Sequence, residues 1–205
     1  MRNAIVIMSL MLFYGCEINK NDNSIDYSGN NCIDNNENFQ PVVISDYHNY
    51  QMIFYNDTEI KIYTKDERLN GAQVEPGSNL VFLYGYTYDD DPVIVDDEYA
   101  EVILFEIKKG LDDFIISDTD LKECNAMLGV FGNMLECGYH WLTDGCIKGV
   151  KISENEWQID INIITEAEYG DFSKMISERF TIKEYLIDQQ HKMFITLGSF
   201  QIRRA

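Results

Sequence analysis

The alternation of apolar and polar positions is clearest between residues 145 and 164. Trp157, Ile159, Ile161 and Ile163 fall on one face, while Gln158, Asp160 and Asn162 fall on the other. A period of two is what a half-buried strand produces, because successive Cβ atoms point to opposite sides of a sheet. Upstream, Val150 and Ile152 share one face and Ile147, Gly149 and Lys151 the other, with the polar Ser153-Glu154-Asn155-Glu156 between the two runs. This pattern predicts an antiparallel hairpin. Burying each isoleucine contributes roughly 1.5–3 kcal/mol, enough to hold the register against a one-residue slip.

Further strands are predicted over 41–44, 50–55, 59–63, 79–88, 99–108, 114–116, 137–141, 176–183 and 193–202. Asn56-Asp57 and 110–113 read as turns, and 66–78 (with Gly71, Pro76 and Gly77) and 89–98 as loops. One helix is predicted over 118–127, capped by Asp118 or Thr119, with Asp120 and Glu123 near its start and Gly129 at its end. Many short strands separated by turns predict an all-β domain, an antiparallel β-sandwich or a lipocalin-like β-barrel with one short helix. Periodicity does not choose between them.

The start of the chain has a different pattern. Met1-Arg2-Asn3 is a short basic start, and 4–14 is apolar apart from Ser9. That run is shorter than the roughly 20 helical residues needed to cross a bilayer, but it suits the apolar region of a secretory signal. Gly15-Cys16 ends it, and a small residue followed by Cys at this point resembles the lipobox of bacterial lipoproteins. The expectation is a signal peptide over 1–15 and lipid modification at Cys16; an ordinary cleaved signal is the alternative. Residues 16–40 are dominated by Asn and Asp, too polar to bury surface that offsets ordering entropy. They are expected to form a flexible tether to a single all-β domain, 41–205. The protein is thus expected to be exported and held at the cell envelope by its lipid (most simply at the outer membrane, on its periplasmic or surface face), with the membrane as a partner.

Composition supports one well-filled core or two small ones: 45% of the 205 residues are hydrophobic and 13% aromatic. Lys and Arg total 16 against 35 Asp and Glu, a formal net charge of −19. Such a surface repels phosphate backbones, so no nucleic-acid partner is expected.

The Gly15-Cys16 signal, the polar tether and the run Gly145-Cys146-Ile147-Lys148-Gly149-Val150-Lys151-Ile152 followed by Trp157-Gln158-Ile159-Asp160-Ile161-Asn162 together resemble small Bacteroidetes cell-envelope lipoproteins. The resemblance implies a β-sandwich or lipocalin-like domain of unassigned function, and brings no functional residues with it.

Four cysteines besides Cys16 remain, Cys32, Cys124, Cys137 and Cys146, an even number in an exported chain. Disulfides are expected, with Cys137–Cys146 the favoured pair across a short connection and Cys32–Cys124 the other. Buried thiols, or a zinc site from Cys124, Cys137, His140 and Cys146, are the alternatives. Asp89, Asp90 and Asp91 with Asp96, Asp97 and Glu98 form the densest acidic cluster; Asp89, Asp91, Asp96 and Asp97 are candidate calcium ligands against the simpler reading of a solvated loop.

No nucleophile elbow, zinc-protease helix or phosphate-binding glycine loop accompanies His48, His140 or His191, and no catalytic residue or cofactor is assigned. Tyr84, Tyr86 and Tyr88 share one strand face, and Tyr139 shares another with Trp141; such rings fill a core or stack on a sugar or an apolar ligand. The function expected is a binding or structural interaction module with an envelope protein or glycan partner. A lipocalin-like carrier of a small apolar or glycan ligand, and a secreted hydrolase using acids and a His, are the alternatives.

Overall fold

The computed structural model describes residues 48–65, 68–88, 99–132, 137–165, 172–185 and 195–196. The residues read as a signal peptide (1–15) and a tether (16–40), the strand predicted over 41–44, the loop predicted over 89–98 and most of the strand predicted over 193–202 lie outside these. Nearly all described residues belong to one antiparallel-dominated sheet. Its strands are β1 (His48–Lys65), β2 (Arg68–Tyr88), β3 (Tyr99–Lys108), β4 (Asp113–Ser117), β5 (Met127–Gly132), β6 (Gly138–Trp141), β7 (Asp144–Ser153), β8 (Glu156–Thr165), β9 (Phe172–Ile182) and β10 (Ile195–Thr196). Nine run in the order β4-β7-β8-β9-β1-β2-β3-β5-β6, an open path, and β10 pairs with β2 beside Ala72 and Gly71.

The predicted hairpin is β7–β8, with Ile147 opposite Ile161 and Gly149 opposite Ile159. Trp157, Ile159, Ile161 and Ile163 are all buried, whereas Val150 and Ile152 lie on the outer face, 40% and 52% exposed. That outer face carries polar contacts: Ser177 Oγ donates to Asp160 Oδ1 at 2.6 Å, and Gln158 Nε2 to Ser177 Oγ at 3.2 Å.

The two arms of the sheet meet along β1 and β9, which pair in parallel at Ile53–Thr181 and Phe54–Ile182. From this seam the sheet folds over, so that rings from distant strands share one core. Phe82 on β2 stacks on Phe105 of β3 at 4.9 Å, and lies 5.7 Å from Trp157 on β8, 6.0 Å from Phe114 on β4 and 6.1 Å from Phe180 on β9. A second core lies on the opposite face of β2 and β3, built from Val81, Leu83, Val102 and Leu104 with Tyr55, Ile60, Val74, Met127 and Tyr139. Because β3 is covered on both faces, its burial is nearly continuous and does not alternate.

The long β1–β2 hairpin reaches this second core by bending. Asn56-Asp57, expected to turn the chain, instead lies within β1; the expected loop over 66–78 is strand from Arg68 onward. The turn-forming residues are used as a bulge on both strands. The register shifts at Thr58, which pairs with both Pro76 and Asn79, and Asp57 adopts φ 55°. Thr58, fully buried, donates from Oγ1 to Tyr55 O at 3.2 Å. Beyond the bulge the hairpin is tied back by Glu106, whose Oε2 accepts Ile60 N–H at 2.8 Å.

The predicted helix is shorter than its sequence pattern. Only Thr119–Glu123 is helical, Asp118 makes no side-chain cap, and Asn125 at φ 50° reverses the chain. Met127 and Gly129, expected in or just past the helix, belong to β5, where Met127 pairs with Leu104 and Gly129 with Val102. Pairing with an already buried β3 outweighs the weak helix preference of so short a segment.

Candidate functional site

One group of side chains stands apart from the apolar packing, at the end of the folded sheet where β2 finishes and β3 begins. The register aligns Tyr50 of β1 with Tyr86 of β2, Tyr86 with Glu101 of β3, and Tyr88 with Tyr99. Direct cross-strand partners project to the same face, so Tyr50, Tyr86 and Glu101 form a row with Tyr84 and Tyr99 on either side. This is the face of Phe82 and Phe105, and Tyr50, Tyr86 and Tyr99 pack against that core while Tyr84 is part of it.

Glu101 is the exception in the row, a carboxylate only 4% exposed. Its Oε1 accepts a short hydrogen bond from the Tyr99 hydroxyl. Its Oε2 lies 2.5 Å from Nζ of Lys174, although β9, which carries Lys174, is separated from β3 by β1 and β2. Only the folding over of the sheet brings them together. The Lys174 ammonium also lies 5.7 Å from the Tyr86 ring centroid, in the range of a cation–π contact. Tyr50 and Tyr86 centroids are 5.0 Å apart, and Tyr86 and Tyr99 6.0 Å.

The electrostatics of the rings follow from this placement. Burial pushes the phenols of Tyr50, Tyr84, Tyr86 and Tyr99 above the usual tyrosine value, and the Glu101 charge pushes each further in the same direction. In Tyr99 the hydrogen bond to Glu101 adds to the effect. The phenols therefore remain protonated donors around a buried carboxylate. Arranged in this way, rings and carboxylate favour a cation or a hydrogen-bonding ring system over an anion.

The residues singled out in the sequence are distributed as follows. Tyr84 is 4% exposed; Tyr86 and Tyr88 are half-buried on the same face. Trp141 does not join them: on β6 it packs against the second core with the Lys122 ammonium 5.6 Å from its ring centroid. His140 pairs with Leu128 on the edge strand β6. Asp89, Asp91, Asp96 and Asp97 lie outside the described residues, as do Cys16, Cys32 and His191.

Cys124 and Cys137 are thiols, which overturns both expected pairs, Cys137–Cys146 and Cys32–Cys124. Cys137 Sγ donates instead to Gly132 O at 2.7 Å across the connection between β5 and β6, and Cys124 is buried in the first core. Cys146 is in disulfide linkage, with neither of these as its partner. Among the described residues no group of three or more His, Cys, Asp or Glu could hold a metal ion; Cys124, Cys137, His140 and Cys146 do not converge.

Glu101 and Lys174 were not among the residues predicted. The usable signal was a charge at the inward phase of a strand: Glu101 alternates in step with Ile103 and Phe105, and Lys174 with Ile176 and Phe180. Comparison with protein-family models, curated proteins and solved structures finds no match to this chain.

Proposed function

We propose that the chain is an exported, lipid-anchored protein of the cell envelope whose all-β domain acts by binding. In this reading residues 1–15 are a signal peptide, Cys16 carries the lipid, 16–40 is a tether, and 41–205 is one sandwich-like domain with an envelope protein or glycan as its partner. The observation that carries the binding reading is the Glu101–Lys174 ion pair set among Tyr50, Tyr84, Tyr86 and Tyr99. A buried ion pair adds little net stability compared with apolar residues of the same volume, so its position at a tyrosine-lined end of the core favours a role in recognition.

A sandwich-like architecture is preferred to a lipocalin-like carrier because the strand path is open between β4 and β6 and because Phe82, Phe105, Phe114, Trp157 and Phe180 occupy the space between the arms. Ligand contact is then made at the end of the core rather than within it.

Cell fractionation of the full chain and of Cys16→Ser tests the anchor. The wild-type protein is expected in the membrane fraction and the variant in the soluble fraction. Unaltered membrane association of the variant would remove the lipid anchor from the account.

A further inference from the structure

We infer that the Glu101 cluster is a binding site for a primary ammonium group, and that Lys174 occupies it from within when no ligand is present. The inference deepens the binding reading above and rests on it.

Glu101 Oε2 is out of contact with solvent. The Lys174 ammonium meets it as a close ion pair at 2.5 Å. The same ammonium lies 5.7 Å from the Tyr86 ring centroid, with the Tyr50 ring beside it. A carboxylate flanked by aromatic faces is the environment that attracts an alkylammonium. Its present occupant is a compact charge on a flexible stem, and the Lys174 side chain is 30% exposed, which gives it a route into water. An arriving ammonium can take the place of the Lys174 ammonium against Oε2 and keep the same ion pair and ring contact. The net charge of −19 draws cations to the surface from which they reach the site.

Calorimetric titration of the full chain with n-butylammonium and glucosamine, against N-acetylglucosamine as the uncharged counterpart, tests this. Both amines are expected to bind, and to bind Lys174→Met about tenfold more tightly because the internal competitor is gone. N-acetylglucosamine is expected not to bind, and Glu101→Gln is expected to bind none of the three. No amine binding to wild type or Lys174→Met, equal binding of the acetylated sugar, or no gain in Lys174→Met would each overturn the inference. If Lys174→Met does not fold, NMR of the wild-type Lys174 side chain decides. Saturable shifts on adding amine support displacement, and their absence contradicts it. The Cys16→Ser fractionation reads the anchor without any ligand, so failure here leaves that result standing.

Discussion

The ring of Phe114 on β4 lies over Gly149, its cross-strand partner on β7. A Cβ built on Gly149 would come within 2.1 Å of Phe114 Cε1 and 2.9 Å of Ile159 Cδ1. Phe114 is 2% exposed and enclosed by Phe82, Phe105 and Trp157, so it has little room to withdraw. Gly149→Ala is therefore expected to destabilise the domain by about 1–3 kcal/mol through overpacking. Phe114→Leu in the Gly149→Ala background should cost less than it does alone. Urea unfolding of the four proteins checks this, and simple additivity would contradict the contact.

How far the sequence reveals this arrangement differs from element to element. The β7–β8 hairpin is legible because one face is buried and the other wet, so polarity alternates in register with the pleat. Met127–Gly132 is not legible as a strand. Both of its faces are covered for most of its length, and a continuous apolar run carries no period that separates strand from helix. Asn56-Asp57 and Pro76-Gly77 carry turn chemistry, and the chain uses it, but to kink two paired strands at the same level rather than to end them. The Glu101–Lys174 pair depends on how the sheet folds over, which no local pattern encodes. Its only trace is a charged residue where the strand phase calls for an apolar one.

Stability should fall in alkali through the buried phenols. Burial, aided by the Glu101 charge and in Tyr99 by the hydrogen bond to Glu101, raises the pKa values of Tyr84 and Tyr99, and burial raises that of Tyr139, above the usual tyrosine value of 10.0. The folded state therefore holds these protons more tightly than the unfolded chain does. Their contribution is complete below pH 10 and is lost as pH rises toward the folded values. Denaturant midpoints should be insensitive to these groups near neutrality and fall progressively above about pH 10. In absorbance titration at 295 nm these tyrosines should ionise late, together with unfolding. A simple titration of all tyrosines near pH 10 with the fold intact would contradict their burial.

The thiols should differ in reactivity. Cys137 is half-buried at the β5–β6 connection, while Cys124 is 2% exposed in the core. Brief alkylation of the native protein without reductant should label Cys137 well before Cys124, and denaturation should equalise them. Cys146 should be labelled only after reduction. Peptide mass spectrometry resolves the three sites, and a Cys137–Cys146 cross-linked peptide would contradict the structure.

The account depends most on the two arms of one sheet closing over a shared core, so that β9 delivers a lysine to a carboxylate on β3. A double-mutant cycle on Glu101→Gln and Lys174→Met, followed by chemical denaturation, measures that contact directly. The structure predicts a coupling of about 2 kcal/mol, with Lys174→Met costing much less once the carboxylate has been neutralised. Additivity within about 0.5 kcal/mol would mean that the two side chains do not meet, and would contradict both the fold and the site built on it.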